Sequence, residues 1–228
     1  MKRTPHHLSA AALGLVFLSL LAARPAPALE AVPQAVLRGN PEAVEALAGG
    51  ASVRAVWIAG KFGEYGDPAH VIRFDRDGNP VEVEGKFIRL GDDRFSISVQ
   101  GHDWLVRGKF GDGGSDAFRI RRTPAGRIAS IEGRFYHNGD DRFAFRYDDE
   151  GRLTAVEGKF GQDGEPGVRF LRDASGRITE VRGKLLRFGD SRFRVTYYGA
   201  TPLVRSIEGR FARWGDRRFS FYYEAWPE

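Results

Sequence analysis

One short phrase, Gly followed by Lys or Arg and then Phe or Leu, recurs seven times along the chain. It begins at Gly60, Gly85, Gly108, Gly133, Gly158, Gly183 and Gly209, in steps of 25, 23, 25, 25, 25 and 26 residues. Self-similarity at a near-constant period restricts the fold before any single residue does. Each copy is one small unit that cannot bury its apolar face alone, so the copies must stack on one another.

The fourth copy shows what the unit is. Ile131, Gly133 and Phe135 alternate with Glu132 and Arg134. After Asn138-Gly139-Asp140, Phe143, Phe145 and Tyr147 alternate with Arg142, Ala144 and Arg146. Period two, rich in aromatics and bounded by Gly, Asn and Asp, is the pattern of a strand. Asp148-Asp149-Glu150-Gly151 suits a tight turn, in which the first Asp accepts a backbone N–H and Gly supplies the left-handed residue. Each copy is therefore a β-hairpin, and seven copies predict 13–14 antiparallel strands in up-and-down order.

Parity assigns the faces. Val83, Gly85 and Phe87 share one face with Phe95, Ile97 and Val99; Glu84 and Lys86 share the other with Arg94, Ser96 and Ser98. Each Gly lies among large apolar groups, where its missing side chain lets an aromatic of the next strand lie across it. Ile128 precedes Ile131 by three, as Leu153 precedes Val156 and Ile178 precedes Val181, which predicts a bulge beside the Asp-x-x-Gly turn. Copies two, four, six and seven carry Gly-Asp-x-Arg-Phe; copies one, three and five carry Lys-Phe-Gly and a Gly-rich turn. This suggests two alternating turn types and a larger unit of four strands.

The chain divides into an export signal over 1–28, a segment over 29–50 and the hairpin repeats over 51–228. Lys2 and Arg3, the apolar run from Leu8 to Ala23 and Ala26-Pro27-Ala28 form the signal, with cleavage near Ala28 and a periplasmic or secreted destination. Asn40-Pro41-Glu42 starts one short helix, which Gly49-Gly50 ends. The chain has no Cys, so disulfides, thiolate metal sites and cysteine nucleophiles are absent. Without the signal, 32 basic side chains face 30 acidic ones, too even a balance for nucleic acid binding.

The expected fold is all-β: a closed or flattened barrel or sandwich of up-and-down hairpins. Eight strands are just filled by their own side chains, and fourteen enclose more room than one layer of Phe fills. Three arrangements are open: a dry core, a wide barrel that holds an apolar ligand such as a lipid, or an inverted outer-membrane barrel. Strands of seven or eight residues fall short of the ~9–11 that a span needs. An unclosed sheet would leave edge strands for self-association.

No residue pattern points to catalysis, to a cofactor or to a metal. His70, His102 and His137 lie in different copies. Asp75-Arg76-Asp77-Gly78-Asn79 resembles the start of a calcium loop, but Pro80 and Lys86 stand where that loop needs Gly and Glu. An enzyme would need a cleft, most plausibly near the short step and Gly111 to Gly114. The best candidate for function is a row of cations at one equivalent position: Lys61, Lys86, Lys109, Arg134, Lys159, Lys184 and Arg210. Two strands per copy would space them about 9–10 Å apart, fit to track an acidic polysaccharide or lipopolysaccharide. Glu84, Glu132, Glu157 and Glu208 stand two residues before four of them and equally suit a solvated mixed-charge face. The reading is a non-catalytic structural or binding protein of a bacterial envelope, with a lipid or hydrophobic-ligand carrier and an outer-membrane barrel as alternatives.

Arg146-Tyr147-Asp148-Asp149-Glu150-Gly151-Arg152-Leu153 resembles the Y-D-x-x-G-R-L core of YD (RHS-type) repeats, and residues 170–178 and 74–78 are degraded versions of it. The resemblance implies a secreted β-sheet shell of repeated hairpins, used for encapsulation or for surface and carbohydrate contacts.

Overall fold

A computed structural model describes residues 53–201 and 203–225. The signal, its cleavage site and the expected helix near Asn40 lie outside the described residues. Fourteen strands run up and down: β1 (Val53–Ala59), β2 (Ala69–Phe74), β3 (Pro80–Glu84), β4 (Arg94–Gln100), β5 (Asp103–Arg107), β6 (Ala117–Arg122), β7 (Ile128–Glu132), β8 (Arg142–Tyr147), β9 (Leu153–Glu157), β10 (Gly167–Arg172), β11 (Ile178–Arg182), β12 (Arg192–Tyr197), β13 (Val204–Glu208) and β14 (Arg218–Ala225). Each pairs antiparallel with its neighbours in sequence, and β14 pairs with β1, so the sheet is a closed barrel. Closure leaves no edge among the described strands, which removes the route to edge-to-edge association that an open sheet would have.

The expected parity holds. Val83, Phe95, Ile97, Ile131, Phe143 and Val156 point inward and are buried. The outer face carries a mixed ladder in which Glu84 bridges Arg73 at 3.1 Å, Glu132 bridges Arg121 at 3.2 Å and Glu157 bridges Arg146 at 2.6 Å. Register shifts occur at the ends of β2, β6, β8 and β10, beside the five-residue turns, as the spacing of Ile128 and Ile131 predicts, and at the end of β12, beside a six-residue turn. The Asp75 turn is a hairpin turn: its carboxylate accepts the N–H groups of Asp77 and Asn79.

The repeat Gly is needed for close approach. At Gly133, φ is +128°, and a Cβ would lie 2.8 Å from Cδ1 of Phe118 and 2.9 Å from the carbonyl oxygen of Ala117. The same relation joins Gly60 to Phe219, Gly108 to Phe95, Gly158 to Phe143 and Gly209 to Phe193; His70 fills the aromatic's place over Gly85, and Val168 fills it over Gly183.

The two ends of the barrel differ. At one end all seven loops, residues 60–68, 85–93, 108–116, 133–141, 158–166, 183–191 and 209–217, are nine residues long. At the other end the turns are short and absorb every irregularity of the period. The 23-residue step comes from the two-residue turn Gly101-His102, with φ +64° at Gly101, and not from a cleft.

Candidate binding chamber and rim

The nine-residue loops are equal because they lock into one another. In loop four, the Asp140 N–H donates to the Lys159 carbonyl at 2.7 Å, and the Lys159 N–H donates to the Asp140 carboxylate at 2.8 Å. The same exchange links Asp67 to Lys86, Asp92 to Lys109, Ser115 to Arg134 and Asp190 to Arg210. Asp216 of the last loop closes the circle on Lys61 of the first, at 2.7 Å in both directions. Glu165 joins Lys184 through its own N–H, at 2.7 Å.

The sequence-predicted cation row is thus real as a ring, but its members stand at the start of the loops and not within strands. Their backbone amides hold the ring together. All seven side chains are half-buried. Lys86 pairs with Asp93 and Arg134 with Asp141, both at 2.9 Å. The hydrogen bond and charge of Asp93 raise the pKa of Lys86. Among the described residues, Lys61, Lys109, Lys159 and Lys184 make no ion pair.

The two expected turn types are one. Every loop bonds its seventh residue back to its fourth, from Gly66 N–H to the Gly63 carbonyl through Gly215 to Ala212. What alternates is the fourth position: Gly63, Ile88, Gly111, Tyr136, Gly161, Leu186 and Ala212. Ile88 lies over Gly63 and Gly111, and Tyr136 lies over Gly111 and Gly161. Large and small cannot alternate round an odd-numbered ring. The misfit falls between the last copy and the first, where Ala212 is the compromise beside Gly63.

Beneath these loops the repeat aromatics form a second ring. Successive centroids lie 5.0 Å apart from Phe62 to Phe87, 4.7 Å to Phe110, 5.6 Å to Phe135 and 5.3 Å to Phe160; Leu185 continues it, and Phe211 returns to Phe62 at 5.5 Å. This ring follows the closed sheet from the first copy round to the last. Fourteen strands about 4.8 Å apart give a backbone radius of at least about 11 Å, of which a phenyl ring spans roughly half. Ring pairs run round the wall. Phe74, Phe145, Phe170 and Phe221 point inward nearer the short turns and meet no other aromatic ring among the described residues. Yet Val83, Ile131, Val156 and Ile207 are each 0 % exposed. The inward face is therefore covered throughout, and Val, Ile and Phe side chains form its apolar lining.

The short-turn end of the barrel carries polar groups that sequence reasoning missed. Tyr147, Tyr197 and Tyr223 donate their hydroxyls to the carbonyls of Ile128, Ile178 and Val204, each 19 residues earlier. Burial raises the pKa of Tyr147 and Tyr197 to about 12. Arg172 donates to the Leu153 carbonyl at the equivalent place, and burial lowers its pKa. Arg122 lies 4.5 Å over the Trp104 ring. Hairpins three to six thus present Arg, Tyr, Arg and Tyr in turn.

The loop tips form the second surface. The sixth residue of every loop is left-handed: Tyr65, Leu90, Gly113, Asn138, Asp163, Phe188 and Trp214, with φ from 56° to 64°. Gly, Asn and Asp accept this conformation easily, whereas for Tyr, Leu, Phe and Trp it costs about 1 kcal/mol or more. These four are 62 %, 58 %, 52 % and 61 % exposed. Because the barrel closes, loops six, seven, one and two are consecutive, and the four apolar tips form one arc. Arg89 stacks on Tyr65, Arg187 on Phe188, and Arg213 on both Phe188 and Trp214. The opposite arc is polar: His137 meets Gln162 at 2.9 Å and Asp112 at 3.8 Å.

No protein-family model and no curated protein matches this sequence. Among solved structures, a porin-like protein from Bacteroides uniformis is similar, with a TM-score of 0.43 and 10 % identity over 75 % of this chain and 98 % of that one.

Proposed function

We propose that this chain is an exported, non-catalytic binding protein of a bacterial envelope whose barrel takes a hydrophobic ligand such as a lipid. The observation that supports it is the closed ring of fourteen strands lined on its inner face by Val, Ile and Phe. A lining of Val, Ile and Phe selects an acyl or other apolar group, since each buried CH₂ contributes about 0.8 kcal/mol. The short-turn end carries Arg122 and Arg172, which donate to the carbonyls of Gly126, Gly176 and Leu153. The ring of Lys61, Lys86, Lys109, Arg134, Lys159, Lys184 and Arg210 lies at the far end and suits acidic envelope glycans or lipopolysaccharide. This reading agrees with the hairpin-built shell that the YD-repeat resemblance implies.

An outer-membrane barrel is the second reading. The closed, even-numbered, up-and-down meander favours it. Strands of five to eight residues and the outward Arg–Glu ladder weigh against it. Two measurements on the native protein separate these readings. Release into aqueous fractions, together with a stoichiometric lipid recovered by solvent extraction and mass spectrometry, is the expected result. Release only in detergent, with mobility that changes on boiling, would favour the spanning barrel. Aqueous release with no extractable ligand and no uptake of a fluorescent fatty acid would leave a barrel that binds through its outer surface alone.

A further inference from the structure

We infer that the arc of Phe188, Trp214, Tyr65 and Leu90, with Arg187, Arg213 and Arg89 set between them, docks this end of the barrel on an acidic phospholipid surface.

Two independent observations carry this. The first is chemical. Of the seven large apolar side chains that the described residues expose, four stand at one loop position, on four consecutive loops. Three of the four are aromatic, and guanidinium groups lie 4.7–5.9 Å from the ring centroids. Aromatic rings of mixed polarity concentrate at the boundary between lipid headgroups and acyl chains. Arginines there reach the headgroup phosphates while their stems stay on apolar surface. Arg187 also meets Asp163 at 3.2 Å, where the arc passes into its polar neighbour. Glu64 is the one acid at the fifth and sixth positions of these four loops; Asp67, Asp92, Asp190 and Asp216 are held in the links between loops, and Asp93 pairs with Lys86.

The second is conformational. All seven tips share one left-handed backbone, and three of them, Gly113, Asn138 and Asp163, are the residue types that this backbone prefers. The other four are types that it disfavours, and their large apolar side chains are nonetheless all exposed. Strain without burial stabilises nothing in the barrel, so these side chains answer to something outside it.

The shape points to a bilayer. The four groups stand at the tips of four separate loops, each able to enter a fluid surface by itself. Since the arc covers four loops of seven, docking would tilt the barrel axis. The mouth near Tyr147 and Tyr197 lies at the opposite end, so the contact tethers the protein and does not load the chamber. The inference therefore stands whether or not the chamber holds a ligand, and a failure to extract lipid leaves it unaffected.

Flotation of the purified mature chain with vesicles tests it. Wild-type protein should float with vesicles that contain phosphatidylglycerol and far less with pure phosphatidylcholine, and added salt should weaken the contact. Replacing Arg89, Arg187 and Arg213 with Gln should lower the partition coefficient on acidic vesicles at least about tenfold. The fourfold variant Tyr65→Asn, Leu90→Asn, Phe188→Asn and Trp214→Asn should lose flotation while its thermal midpoint stays level or rises, because Asn suits the left-handed backbone. That second readout separates lost docking from lost folding. Flotation equal to wild type in the fourfold variant overturns the inference. So does a wild type that floats with neither vesicle, an outcome that would assign the arc to a protein partner.

Discussion

At the scale of single residues, the barrel departs from its own repeat most sharply at His70. Five hairpins place Phe over the repeat Gly at this position, and the first places a histidine that is 1 % exposed. Its Nε2 lies 3.0 Å from the Lys86 carbonyl, and the ring stacks on Phe87 at 4.6 Å. Burial lowers its pKa to about 4, against the opposing pull of the Lys86 carbonyl and the Asp67 carboxylate. The unfolded chain therefore binds a proton near pH 6.5 that the folded chain refuses until about pH 4. Stability is complete above that window and falls as pH drops through it, by roughly 3 kcal/mol at pH 4. His70→Phe should remove most of this acid loss, read from denaturation midpoints between pH 7 and pH 4. Gly133→Ala tests the close approach: with φ at +128° and Phe118 in the way, it should cost about 2–4 kcal/mol in urea unfolding.

At the scale of the hairpin, hydrogen bonds outside the strand ladders tie each copy to its neighbours. Asp140 exchanges hydrogen bonds with Lys159 of the next copy, and Tyr147 bonds the Ile128 carbonyl across the short-turn end. Asp140→Ala should cost about 1–2 kcal/mol and Tyr147→Phe about 1 kcal/mol, since each leaves a backbone group without its partner. Asp140→Asn, which keeps an acceptor oxygen, should lose less than Asp140→Ala in the same thermal unfolding series. The Tyr-Asp phrase at Tyr147-Asp148 has a physical meaning here. The Tyr ties one hairpin to the previous one, while the Asp148 carboxylate accepts the Arg152 N–H at 2.7 Å and fixes the turn. The strands, the bulges and the Gly–aromatic contacts were all legible from residue spacing, because each depends on neighbours in sequence or on the adjacent strand. The unity of the seven long loops was not. The contrast between Gly63 and Ile88 looked like a change of turn, and it is a change of packing partner across the loop ring.

At the scale of the molecule, the seam between the last copy and the first is closed by the same strand pairing and Asp–backbone link as the other junctions, and differs in the loop packing at Ala212. Val53 is the register partner of Ala225, and Asp216 grips Lys61 as Asp140 grips Lys159. A circular permutant that joins Glu228 to Leu29 and opens the chain between Gly101 and His102 should keep the β-sheet circular dichroism and a cooperative unfolding transition. An unfolded or aggregated permutant would mean that β14 and β1 are not held as the other pairs are. Asp216→Ala should weaken the barrel by about the same 1–2 kcal/mol as Asp140→Ala.

Period-two alternation, the repeat Gly and the Asp-x-x-Gly turns determined the strands, their faces and their order, because each acts over a few residues. The number of hairpins made a closed barrel or sandwich the expected fold, but seven equivalent hairpins do not choose between the two or name a partner for the last strand. The tertiary structure decided that β14 pairs with β1, with Asp216 on Lys61 completing the ring of loop links, and so that Phe188 and Trp214 stand beside Tyr65 and Leu90. Those tips are separated by most of the chain and share a surface only because a closed ring makes its first and last members neighbours.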